Sequence, residues 1–393
     1  FNVKDPWKIG QPDVDPAYNV LVEVLIHGEP FTYSRPVRHK FTDPVKGELY
    51  EPMAVLPPVE LAFVNENNLS VNDSAIDIRS FFKTNLKDSA YYDMAIAHSD
   101  KWNANRDRFT YGTNGNGINY ASSRFVPGKS AGMETIRLSA KSKSGVVYNG
   151  LRHTIHYDHI PDIVYYKKAQ ARIIPVDLQT AGKRIGYIVG AGDKVPQALE
   201  LMGYEVTLLT EKELARNDLS RFDAILTGVR AYNTNAWMND YYEKLMDYVK
   251  EGGNLIVQYN TSSQIGPVRA KIGPYPFNIS RTRVIDETAV VKFLQPGHAV
   301  LNFPNKIGEA DFKGWIQERS IYHGSNWDAK FTPIISMADP GEKEDAGSLL
   351  IAAYGKGYFT YTGLVFFREL PAGVPGAYRL LANIIALNQK KGF

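Results

Sequence analysis

The chain has 393 residues, 44% of them hydrophobic and 22% charged, with a formal net charge of +3 and no cysteine. That length suits two or three domains with cores of their own, and the lack of cysteine excludes disulfides, thiolate metal ligands and cysteine nucleophiles. The small charge, with no run of basic residues, argues against a nucleic-acid partner, and no apolar run is long enough to span a membrane.

The sequence begins at Phe1 with neither Met nor a charged and apolar leader, so it is expected to be a processed or excised piece of something longer. From Tyr18 to about His159 the pattern is β. Val20, Val22, Val24 and Ile26 alternate, as do Val59, Leu61 and Phe63, and then Ile136, Leu138 and Ala140. Turn residues at Asn65 to Asn68, Asn114 to Gly117 and Ser144-Gly145 separate such runs, as an antiparallel β-sandwich requires. Prolines between Pro52 and Pro58 mark a junction. Residues 1–56 therefore read as a partial β module and 57–160 as a sandwich, with one elongated domain or two sandwiches both open. Residues 161–180 read as a connector with apolar positions at Ile163, Val164, Ile173 and Ile174.

From 181 to 393 the pattern changes to α/β. Lys183 to Val189 is a buried strand followed by the turn Gly190-Ala191-Gly192-Asp193, where Asp193 caps a helix whose Val195, Ala198, Leu199 and Met202 face one way. Gly203 ends that helix, Glu205 to Leu209 is the second strand, Thr210 and Glu213 form a capping box, and Ala224 to Thr227 is the third strand. A helix capped by Asn235 and stopped by Gly252-Gly253 leads to a fourth strand, Asn254 to Tyr259. A hairpin around Gly355-Lys356-Gly357 and a closing helix, Tyr378 to Leu387, complete the pattern. Ligands of parallel α/β sheets sit beyond the carboxyl ends of the strands. The glycine turn and the segment Gly228 to Asn233 are thus expected to share one rim, with Arg230, Tyr232 and Asn233 as ligand contacts.

Few motifs carry chemistry. The glycine turn has Val195 where a dinucleotide fingerprint needs its third glycine, and it lacks the Lys-Ser/Thr pair of a P-loop. His153, His156 and His159 lie on a strand whose side chains alternate, so three ligands from it would need a bulge. His98 with Asp100 lacks a third ligand, and the carboxylates of Asp339 to Asp345 lack the calcium-loop spacing of an EF-hand, so no metal site is expected. The segment Asp311 to Arg319 sets Trp315, Glu318 and Arg319 close together, as a sugar site would or as a buried Arg–Glu pair beneath a Trp would. Arg368 and Arg379 flank a Pro- and Gly-rich turn that they could fix through its carbonyls. There is no G-x-S-x-G elbow, and His298 has no Ser or Asp partner at a recognisable spacing. An enzyme with His298 or Glu318 as general base would need the two to converge in one cleft.

The segments Thr42 to Pro52 (TDPVKGELYEP), Gly182 to Val206, Phe312 to Tyr322 (FKGWIQERSIY) and Phe366 to Ile384 resemble the region downstream of the catalytic domain in large PIG-L/LmbE-like deacetylases. The resemblance spans nearly the whole chain. It implies a zinc-dependent amino-sugar de-N-acetylase domain upstream; AHSDK at Ala97 to Lys101 departs from that domain's Ala-His-Pro-Asp-Asp motif, so zinc and deacetylase chemistry belong to no residue here. The β part looks like immunoglobulin-like modules of carbohydrate-active enzymes, and the α/β part is similar to flavodoxin-like, class I glutamine amidotransferase-like and ThuA-like domains without their Cys nucleophile. The resemblance implies a non-catalytic accessory region in the periplasm or outside the cell, positioning the deacetylase domain of the same chain or binding a carbohydrate or amino-sugar ligand.

Overall fold

A computed structural model describes residues 5–10, 15–113, 117–216, 218–261 and 271–389, and the chain divides into two units. The first comprises Phe1–Glu66, Ile76–Gly128 and Glu134–Arg172, and the second Asn67–Ala75, Lys129–Met133 and Ile173–Phe393.

The first unit is an antiparallel β-sandwich. One sheet runs Val59–Phe63, Ile76–Thr84, Gly117–Pro127, Trp102–Ala104, and the other includes Arg108–Thr113, Ala90–Ala97 and Glu134–Ser142 as neighbours. Alternation dictates the core: Leu61, Ile78, Phe82, Met94, Phe125, Ile136, Leu138 and Ala140 are buried, as the period of two in the sequence requires. Three further hairpins belong to this unit: Asn19–Ile26 with Glu29–Pro36, Arg38–Asp43 with Gly47–Pro52, and Gly150–Tyr157 with Ile160–Lys168.

Several expectations need correction here. Val20, Val22, Val24 and Ile26 do alternate on a strand, but every residue of that hairpin is exposed, so the alternation marks no core face. His27 and Gly28 both have positive φ, the geometry of a tight two-residue turn, and it is this turn rather than burial that sets the hairpin's register. The span 161–180 is no connector: it holds most of Ile160–Lys168 and all of Gln170–Val176, both strands. Asn67 and Asn68 begin the strand Asn67–Val71 instead of ending a turn. Asn114 to Asn116 lie outside the described residues.

The second unit is built on a seven-stranded sheet in the order Glu205–Leu208, Arg184–Ile188, Ala224–Thr227, Asn254–Gln258, Gly357–Thr362, Leu349–Tyr354, Phe331–Pro333. The first five strands are parallel, and Leu349–Tyr354 runs antiparallel to its neighbours on both sides. Parallel strands must be covered on both faces, which is why they read as continuous apolar runs. Ile185, Tyr187, Leu226 and Ile256 pack on one side with the helices Val195–Leu201, Phe366–Ala372 and Pro375–Ile385. Ile188, Ile225, Leu255 and Val257 pack on the other, against Leu245, Tyr248 and Val249 of the helix Tyr242–Lys250. The hairpin expected around Gly355-Lys356-Gly357 is present, closing with Tyr354 opposite Gly357.

Candidate functional site

Because Arg184–Ile188 and Ala224–Thr227 are parallel neighbours, the turns that follow them leave the sheet at the same edge. The two turns are in backbone contact: Ala191 N–H donates to Val229 O at 2.8 Å and Gly228 N–H to Ile188 O at 2.7 Å. A Cβ on Gly190 would stand 2.1 Å from Val229 O, so only glycine permits this approach. Asp193 joins the parts, accepting from the Tyr187 hydroxyl at 2.6 Å, Val195 N–H at 3.0 Å and Val229 N–H at 3.1 Å. Its carboxylate is spent on holding the rim together.

Arg230 occupies the strand-to-helix turn in the left-handed region, with φ of 60°. Its N–H donates to Tyr259 O at 2.8 Å, which locks the strained backbone, while its side-chain Nε is buried without a partner. Tyr259, the residue after the fourth strand, stacks on Tyr322 with ring centroids 5.6 Å apart and planes within 9°, and meets Phe367 at 5.4 Å. Burial raises the Tyr259 hydroxyl above its ordinary pKa, against the opposing pull of Arg230 and Arg368, while Tyr322 and Glu318 add to the rise. Arg368 is oriented by Glu318, whose carboxylate accepts from its Nε at 2.9 Å, and by a hydrogen bond to the Gln317 side chain.

Gln317 and Tyr322 also have positive φ, 67° and 50°. Each is held by a specific bond: Gln317 N–H to Glu287 at 2.6 Å, and the Tyr361 hydroxyl to Tyr322 O at 2.7 Å. Left-handed backbone in non-glycine residues costs on the order of 1–3 kcal/mol each. Three such residues, Arg230, Gln317 and Tyr322, thus gather around Tyr259 and Arg368.

Other expected site residues lie elsewhere. Tyr232 is buried in the core beneath the sheet, where burial raises its pKa, and does not face the rim as a ligand contact would. Asn233 is engaged with the backbone of Thr261, accepting from its N–H at 2.8 Å. Trp315 is buried, donates from its indole N–H to Asp311 O at 2.9 Å and stacks on Phe312. Arg319 is buried beside it, its guanidinium 5.8 Å from each of those rings, and bonds the carbonyls of Phe312 and Ala289. Glu318 pairs with Arg368, so the expected Arg319–Glu318 pair does not form. Arg379 bonds Asp311, Asp177 O and Lys306 O, and Arg368 bonds Glu318 and Gln317; neither arginine holds the Pro–Gly turn. His298 caps the helix Ala299–Asn302 by accepting from Val300 N–H at 3.1 Å, and burial lowers its pKa. His298 is thus engaged as a cap and Glu318 with an arginine.

Among the described residues no group of three or more His, Asp or Glu side chains is placed to hold a metal ion. Only His153 and His156 lie on the strand Gly150–Tyr157, which is irregular between Ile155 and Tyr157, and His159 falls in the turn after it; each ring goes its own way, His153 stacking on Tyr165, His156 bonding Asp162 at 2.6 Å and His159 lying against Tyr157. His98 packs edge-on against Phe125 and lies 3.6 Å from Asp107. In the acidic loop, Asp339 accepts from Ile285 and Asp286 N–H groups, Glu344 pairs with Lys292, and Asp345 with His323.

That last contact belongs to a chain of polar groups. His323 Nδ1 lies 2.5 Å from Asp345 and its Nε2 2.7 Å from the Ser320 hydroxyl, an order of hydroxyl, imidazole and carboxylate that nucleophilic hydrolases use. Ser320 and His323 have no exposed surface at all. With no route for a substrate to the hydroxyl, the chain serves as a buried staple between the strand Ser320–Ile321 and the acidic loop.

No family model matches the chain, and no curated protein does. Among solved structures, a FixG-related protein from Vibrio parahaemolyticus is similar over 30% of this chain and 98% of its own, at 9% identity and a TM-score of 0.22. The BIgI domain of beta protein from S. agalactiae, solved bound to CEACAM1, is similar over 31% and 99%, at 17% identity and 0.17. A family 123 glycoside hydrolase from Clostridium perfringens is similar over 51% and 38%, at 7% identity and 0.20. Likeness of this degree decides neither fold nor function.

Of the residues at the rim, Arg230 and Glu318 were marked by the sequence, whereas Tyr259, Tyr322 and Phe367 were not. Tyr259 had one available signal, its place directly after a buried parallel strand. Tyr322 had none, since Tyr259 lies far away in the chain, and of the two partners of His323 only Ser320 is close by in sequence.

Proposed function

We propose that the chain is a non-catalytic accessory region that binds carbohydrate at the rim around Arg230, Tyr259, Tyr322 and Arg368. The observation that carries this is the convergence of three left-handed, individually locked residues, Arg230, Gln317 and Tyr322, on one aromatic and cationic cluster. Strain of that kind persists where a side chain must be held in one place for a task. An aromatic face suits the apolar side of a pyranose, and two guanidinium groups beside one carboxylate suit its hydroxyl and carbonyl oxygens. The parallel strand order supports a flavodoxin-like, amidotransferase-like assignment of the second unit, and the antiparallel sandwich supports an immunoglobulin-like one for the first. Joined to the sequence resemblance, this makes the natural ligand an amino-sugar glycan, the partner an amino-sugar de-N-acetylase domain of the same chain, and the setting periplasmic or extracellular. The chain's own residues would bind and orient; the zinc that such a deacetylase uses would be held upstream.

A thermal-shift titration with N-acetylglucosamine oligosaccharides tests this, since a ligand bound only by the folded state raises the midpoint with concentration. The expected result is a saturable rise that is lost in both Arg230→Ala and Tyr322→Ala. No rise with any oligosaccharide, or a rise that neither variant alters, removes the proposal.

A further inference from the structure

A second pocket lies in the same unit and shares Glu287, the residue that holds Gln317 N–H, with the rim. A pocket of about 290 Å³ is walled by Ala289, Val290, Val291 and Phe312, with Arg319 and Lys313 also lining it and Glu287 and Glu309 among its polar groups. Arg319 is 5% exposed. Two of its nitrogens bond the carbonyls of Phe312 and Ala289, but its Nε is a buried donor with no acceptor. Among the described residues no carboxylate lies within ion-pair distance of this guanidinium, and its charge is met by the rings of Phe312 and Trp315. A buried cation with an unsatisfied donor, in the wall of a pocket, is an unusual thing for a fold to leave incomplete.

We infer that this pocket binds a small polyhydroxylated carboxylate, a free hexuronate in size and chemistry, with its carboxylate on Arg319 and Lys313. A guanidinium is suited to carboxylate geometry, and the exposed ammonium of Lys313 adds a second positive charge. Glu287 and Glu309 supply acceptors for the ligand's hydroxyl groups, and Val290 with Phe312 supplies an apolar wall for its C–H face. Burial lowers the Arg319 pKa against the pull of Glu369, Asp286 and Glu287, and burial pushes Glu369 itself up to about 8. The anion-holding groups, Arg319 and Lys313, are not among the rim residues proposed above, although Glu287 touches both places.

Isothermal titration calorimetry of the full chain with D-galacturonate and, separately, with neutral D-galactose tests it. Replacing Arg319 would also break two backbone contacts, so the informative variants are Lys313→Glu and Val290→Trp, both at exposed positions of the wall. Saturable binding of galacturonate and none of galactose is expected, weakened about tenfold or more by Lys313→Glu, abolished by Val290→Trp and untouched by Arg230→Ala. Absence of galacturonate binding, equal binding of galactose, or binding that survives both wall variants overturns the inference. So does binding lost only in Arg230→Ala, which would return the anion to the rim.

Discussion

His323 and Asp345 are joined at 2.5 Å by a hydrogen bond that has no exposed side at the imidazole, and the other ring nitrogen is capped by Ser320 at 2.7 Å. Burial opposes ionisation of Asp345, but the bonds from His323 and from Gly347 N–H outweigh it and hold the carboxyl below its ordinary value of 3.8. Its contribution to stability is therefore complete above that value and is lost as pH falls through the lowered one. His323→Ala should cost roughly 1–3 kcal/mol near neutrality, because it leaves the buried Ser320 hydroxyl and Asp345 without their partner, and Asp345→Asn should cost about 1 kcal/mol, because its amide oxygen can still accept from His323 and Gly347 N–H but the charge is gone. Urea denaturation at about pH 6 and about pH 3 should show the Asp345→Asn penalty shrinking in acid. A constant penalty would mean that the carboxylate's charge plays no part.

Glu369 has the opposite sign. Both its oxygens accept from Ile316 N–H, at 3.0 and 3.2 Å, in a site with no exposure, and burial raises its pKa from 4.5 to about 8 despite that bond and Arg319. A raised folded value means stability is greatest below 4.5 and falls as pH rises from there to about 8. Glu369→Gln should flatten this fall, measured as the denaturation midpoint across the same window.

Trp315 is a packing residue. Trp315→Ala should destabilise by about 3–5 kcal/mol, through the lost stack on Phe312 and the cavity left beside Arg319. Equal stability in a denaturation curve would contradict the buried geometry.

Arg230 sits in a conformation that glycine adopts without strain. Arg230→Gly should leave stability unchanged or raise it by up to about 1 kcal/mol, while removing ligand binding at the rim. Gly190→Ala should do the reverse and destabilise by about 2 kcal/mol or more, because its methyl has no space against Val229 O. Calorimetric melts of the two variants separate a residue kept for binding from one kept for folding.

The strands Arg184–Ile188, Ala224–Thr227 and Asn254–Gln258 were readable in the sequence because a parallel strand covered on both faces is an unbroken apolar run between turn signals. The same logic placed the glycine turn and Gly228 to Asn233 on one rim, and the lack of cysteine removed a whole class of chemistry. It did not reveal that Val20 to Ile26 would alternate without burying a face, since periodicity records what a strand could bury and not whether anything covers it. Nor could it turn Tyr232 inward and leave Arg230 at the rim, a choice made by one left-handed residue at the turn. Tyr259 meeting Tyr322 and His323 meeting Asp345 are contacts set by strand order and loop return. Local pattern fixes which elements form; which side chains converge depends on distances through space between segments that the chain itself keeps apart.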